Sequence, residues 1–190
     1  MFGRAAAPQS RMRVSVVDSE DQQAALRVLA ELTQRSVLHP SILTAARAIV
    51  MDVPSRDDMG ELEAIYDAVK HGTPVVAGFK KGLRYTSDPT MADAFIAPTR
   101  ILKQCKSGAC AGDCDEAAAL IASLAAAIGF RAGLRAWGPK GCEGEYVHVY
   151  AVIGYPKHDP ERAIALDTTV PEFTVGSEPR DGEVITAWME

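Results

Sequence analysis

The stretch GDCDEAAALIASLAAAIGF, residues 112–130, constrains the fold more than any other. Asp113 followed three residues later by Glu116 has the spacing of a capping box. In that motif one side chain takes an orphan helix N–H, and the other reaches back to the cap's own N–H. The spacing predicts a helix with Asp113 as N-cap, Cys114 as its first residue and Gly129 as its stop. Ala118, Ile121, Ala122, Ala125 and Ile128 recur at helical spacing, a small-residue face that lets another element come close. The apolar run after Cys114, about 14 residues, is too short for a membrane span and suits a buried helix. Other elements must therefore wrap around it.

The second half supplies them. FRAGLRAW (130–137), EYVHVYAVI (145–153) and RAIALDTTV (162–170) read as three strands, the first two alternating apolar and polar positions. A helix followed by consecutive strands predicts an α+β fold with an antiparallel sheet packed on that helix. In the first half, VSVVD (14–18) reads as a short strand. A helix capped by Asp18 or Ser19 then runs to about Gln34. A second helix is expected from Ser41 to about Met51, and a third from about Asp57 to Lys70, ended by Gly72. Residues 72–98, rich in glycine and proline, are expected to be irregular. Residues 1–13, with Arg4, Arg11 and Arg13, read as a solvated tail. Residues 14–190 read as one domain with its core at about 57–176.

Composition excludes several classes. A net charge of -5 over 190 residues leaves no basic footprint for nucleic acid. No apolar run is long enough for a membrane span, and no signal-peptide core opens the chain. Four cysteines, at 105, 110, 114 and 142, do not make a disulfide scaffold in a chain this long, so reduced thiols are expected.

The chemistry centres on Cys114. Free N–H groups and partial positive charge at a helix start favour an anion, lowering a thiol's pKa and offering donors to an oxyanion. Asp113, Asp115 and Glu116 oppose a thiolate, so a histidine must share the proton. His148 shares a strand face with Tyr146 and Tyr150. If Ile153 sits opposite Arg162 across the GYPKHDPE loop, antiparallel register puts His148 opposite Asp167. Their Cβ atoms would then lie about 4.5–5.5 Å apart, close enough for the carboxylate to orient the imidazole. His39, His71 and His158 are expected to face solvent. Two other readings of the cysteines stay open. Cys114 can be a packed, inert residue, or Cys105, Cys110, Cys114 and Cys142 can be four zinc ligands, although their spacings lack paired knuckles.

Three blocks, GDCDEAAALIASLAAAIGFRAGL, YVHVYAVI and AIALDTT, in that order and at these spacings, resemble the transglutaminase-like superfamily of papain-type cysteine enzymes. LRYTSDPTMADAFIAPTRIL resembles the segment leading into its nucleophile helix. The resemblance covers about residues 61–176, and it is nearest to short bacteriophage and prophage members. It implies Cys114 as nucleophile, His148 as base and Asp167 as orienting acid. The implied chemistry is acyl transfer from an amide through a thioester, giving proteolysis, deamidation or crosslinking. No cofactor or metal is implied. Protein or peptide substrates follow, with other virion proteins as further partners. The implied location is the bacterial host cytoplasm or the virion, and a catalytically silent structural or interaction protein of a phage virion with the same fold is the alternative. Gln104 is a candidate oxyanion donor by residue type, and Trp137 or Tyr85 a candidate aromatic neighbour.

Overall fold

A computed structural model describes residues 19–87, 95–141 and 145–190. The expected tail at 1–13, the strand at 14–18, Asp18 and Cys142 lie outside them. So does 88–94, part of the segment expected to be irregular. The elements run α1 (Ser19–Val37), α2 (Pro40–Val50), α3 (Asp58–His71), β1 (Arg84–Tyr85), α4 (Pro98–Lys106), β2 (Ala111–Gly112) and α5 (Cys114–Ala127). Then follow β3 (Ala132–Pro139), β4 (His148–Tyr155), β5 (Arg162–Leu166) and β6 (Gly182–Trp188). Helices precede an antiparallel sheet ordered β5-β4-β3-β6, an α+β fold as expected.

Local chemistry sets the helix ends. Asp57 Oδ1 accepts from Gly60 N at the start of α3. Gly72, at φ 95°, closes that helix with an N–H shared between Asp67 and Ala68 carbonyls, a backbone shape that favours a residue without Cβ. At α2, His39 Nδ1 accepts from Ser41 N ahead of Pro40. At α5 both halves of the capping box form.

α5 is the axis of the molecule. All ten residues from Glu116 to Ala125 are buried, and a helix that is apolar all round must be enclosed on every side. Helices α1 to α4 cover it on one side. Ala132, Leu134, Ala136, Ala151, Ile153 and Leu166 of the sheet cover it on the other. The buried cluster runs from Leu26 to Met189. The outer sheet face carries a smaller cluster of Tyr150, Val152 and Ala165 beside Trp137 and Trp188. The 167–181 connection is tied back to the sheet, with Gly176 N donating to Ala165 O and Tyr150 OH to Glu178.

Four elements, β1, α4, β2 and β6, go beyond the sequence expectation, and β1 falls within the 72–98 segment expected to be irregular. In α4, Ile101, Leu102 and Cys105 bury one face behind Pro98. In β6, Ile185 and Ala187 alternate toward the core, and the strand pairs with β3 along its whole length.

The hairpin register differs from the expectation by two residues. Ile153 pairs with Ile164, and Arg162 pairs with Tyr155. β4 runs two residues further toward the loop than supposed, to Tyr155, while β5 starts at Arg162 as expected, and Lys157 in that loop is fastened to α3 through Asp58 and Glu61. An even shift preserves which face each residue presents.

Candidate active site

Cys114 opens α5, and His148 opens β4. Both line a cavity of about 300 Å³ whose far wall is α1, through Leu26, Leu29 and Gln22. The β4–β5 ladder ends at Ala151 with Leu166, so His148 and Asp167 meet diagonally rather than face to face. Such diagonal neighbours remain within reach of long side chains. His148 Nε2 lies 2.6 Å from Asp167 Oδ2, and the Asp167 side chain is 1% exposed.

The aspartate is itself held. Thr169 donates to Oδ1 through its backbone N–H at 3.0 Å and its hydroxyl at 2.7 Å. Burial alone would raise the Asp167 pKa. The hydrogen bond and charge of His148, with the two Thr169 donors, bring it below the ordinary aspartate value. Tyr66 OH sits 3.2 Å from the Asp167 carbonyl oxygen. Lys70 Nζ gathers Tyr66 OH and the carbonyls of Val170, Pro171 and Phe173. Helix α3 thereby fixes the segment that carries the carboxylate. His148 also stacks on Tyr150, with ring centroids 5.9 Å apart.

The thiol does not behave as its helix position alone suggests. Burial, then the charge of Asp115, push the Cys114 pKa well above the ordinary thiol range, and Asp113 adds to this. The Val149 N–H opposes the shift, but desolvation and two carboxylates outweigh a helix start. The resting sulfur is a neutral thiol. It hydrogen-bonds Asp115 Oδ1 at 3.6 Å, not the imidazole, with which it shares the cavity.

The capping box also uses up helix-start donors. Asp113 Oδ1 accepts from Asp115 N at 2.9 Å, and the Asp113 side chain accepts from the Glu116 backbone as well. Glu116 Oε2 accepts from Asp113 N, and its Oε1 from Ile96 N. Of the N–H groups from Asp113 to Glu116, the one on Cys114 itself is outside this arrangement. The expectation of several free backbone donors at the thiol is corrected accordingly.

Two cysteines are not thiols. Cys105 and Cys110 form a disulfide across the turn between α4 and β2. This overturns the expectation of reduced thiols, because the end of α4 and a left-handed turn at Gly108 (φ 86°) bring the two residues together. It also removes two ligands from the four-thiolate zinc reading. Asp113, Cys114 and Asp115 offer three donor atoms within 4.8 Å of one another. One Asp113 oxygen is committed to the cap, however, and burial keeps the thiol protonated.

The remaining candidates separate. Tyr85 lies beside the thiol on β1, which pairs with β2 just ahead of Cys114. Partial burial raises its phenol pKa, and the charges of Cys114, Asp113 and Asp115 raise it further. Trp137 sits opposite His148 in the β3–β4 ladder and packs on the outer face. Gln104 falls in the last turn of α4 and does not line the cavity. His39, His71 and His158 are exposed, as expected. Among the described residues, no helix is long and apolar enough to cross a membrane.

No protein-family model matches the chain. No curated protein matches it in sequence. Among solved structures it is similar to one described as "a putative protease from Parabacteroides distasonis", with TM-score 0.47 and 12% identity. The match covers 83% of this chain and 31% of that protein, so the chain spans under a third of its length. A likeness at that level assigns no activity here.

Proposed function

We propose that the protein is a cysteine-dependent acyl-transfer enzyme of the transglutaminase-like type, with Cys114 as nucleophile, His148 as base and Asp167 as orienting acid. The observation that carries this reading is the 2.6 Å His148–Asp167 contact at the edge of the cavity that Cys114 also lines. Asp167 occupies Nε2, so Nδ1 is the imidazole nitrogen left to take the thiol proton. The sulfur then attacks an amide carbonyl to form a tetrahedral oxyanion. Collapse expels the amine, which takes its proton from the imidazolium, and leaves a thioester on Cys114. Water releases an acid; an amine releases a new amide. Either acceptor returns its proton through His148. A protein or peptide substrate fits the open apolar wall of α1, and a phage or virion setting belongs to the same proposal.

Acylation by a p-nitrophenyl ester, followed by peptide mapping, tests it. Cys114 carries the acyl group in wild type, and nitrophenolate release falls to background in Cys114→Ala and His148→Ala. A wild type whose release equals that of Cys114→Ala sinks the reading. One observation favours the alternative, a silent protein that keeps the fold. The resting thiol bonds Asp115 and is held protonated. The same experiment separates the two.

A further inference from the structure

We infer that Gln22 of α1 supplies the side-chain donor to the carbonyl oxygen of the amide under attack; this rests on the acyl-transfer reading above. Three observations converge. Gln22 lines the cavity that holds Cys114 and His148. Its Oε1 accepts from Tyr146 N at 2.9 Å, which spends the acceptor end of a planar amide and leaves its two N–H donors without a partner among the described residues. Tyr146 lies two residues before His148, so this bond sets the amide's position against the strand that carries the base.

The need for such a donor follows from the helix start. The capping box uses the N–H groups of Asp113, Asp115 and Glu116. That leaves the Cys114 N–H to face an oxyanion in a cavity whose rim also carries the carboxylates of Asp113 and Asp115. A neutral amide fixed at its oxygen end balances this without a counter-charge, and it costs little reorganisation when charge develops. Gln22 then stabilises the oxyanion as the sulfur–carbon bond forms, and releases it as the leaving group departs.

Two variants separate this role from anchoring. Gln22→Glu keeps an acceptor for Tyr146 N–H and removes the donor; Gln22→Met removes both. Acylation of Cys114 by the p-nitrophenyl ester is compared with alkylation by iodoacetamide, which forms no oxyanion. Both variants should lose about 10²–10³ in acylation rate, the usual cost of one oxyanion donor. Alkylation of Gln22→Met, which adds no charge, should stay within about twofold of wild type; Gln22→Glu brings a further carboxylate near the thiol, so its acylation loss is read relative to its own alkylation rate. If Gln22→Glu acylates like wild type while Gln22→Met does not, Gln22 is an anchor and the inference fails. If alkylation slows as much as acylation, the effect lies on the thiol and the inference also fails. A wild type that is not acylated at Cys114 overturns the acyl-transfer reading and takes this role with it. A reactive wild type beside a reactive Gln22→Glu overturns this role alone.

Discussion

The His148–Asp167 contact should be measurable as a coupling energy. Asp167→Ala deletes three hydrogen bonds: one to the imidazole at 2.6 Å and two from Thr169 at 2.7 and 3.0 Å. Hydrogen bonds to a charged group contribute about 1.5–3 kcal/mol each, but Thr169 is partly exposed and regains water, so the single variant should lose about 3–4 kcal/mol. For a chain of this size that lowers Tm by about 10 °C. A double-mutant cycle with His148→Ala isolates the pair, because the Thr169 losses appear in both arms. The coupling should be about 2 kcal/mol, given a carboxylate that is 1% exposed and an imidazole that is 18% exposed. Its pH dependence follows from a folded pKa below the ordinary 3.8. The contribution is present above that value and lost as pH falls through the lower folded one. Chemical denaturation at neutral pH and again in strong acid gives both quantities. A neutral-pH coupling below about 0.5 kcal/mol, within the additivity error of independent sites, would refute the geometry on which the proposed mechanism rests.

Glu116 should behave in the opposite sense. Burial pushes its carboxyl up to about 8, and Asp113 beside it adds to the shift. Its contribution is therefore complete below about 4.5 and lost as pH rises toward 8. Wild type should lose stability relative to Glu116→Gln across that window, read from urea midpoints at each pH; a constant difference contradicts the assignment. The Cys105–Cys110 disulfide closes a short loop, which predicts about 2 kcal/mol of stability. Reductant, or Cys105→Ala with Cys110→Ala, should lower Tm by about 4–8 °C, and an unchanged scan means that the bridge does not form.

Short-range chemistry was legible in the chain. The 113/116 spacing is a capping box and forms one. Gly72 ends α3, and the alternation of 130–137 places Ala132, Leu134 and Ala136 in the core. These outcomes depend on side-chain periodicity and on hydrogen bonds spanning three or four residues, which a linear reading contains. The pairing of His148 with Asp167 was legible for a similar reason. The assumed register was two residues out, but parity alone decides the face, and a diagonal contact is still within reach.

Tertiary structure decided the rest. Nothing near Gln22 marks it as a cavity residue, because its partner Tyr146 lies 124 positions away. Lys70 is legible in the sequence only as a helix end; the carbonyls of Val170, Pro171 and Phe173 that it gathers lie 100 or more positions away. Composition pointed to reduced thiols, and only the turn at the end of α4 brings the Cys105 and Cys110 sulfurs together. The thiol shows the division most clearly. Its place at a helix N-terminus is written in the sequence and argues for a low pKa. The opposing charges of Asp113 and Asp115 are written there too, but the burial of the thiol exists only once the chain has folded, and that desolvation reverses the direction.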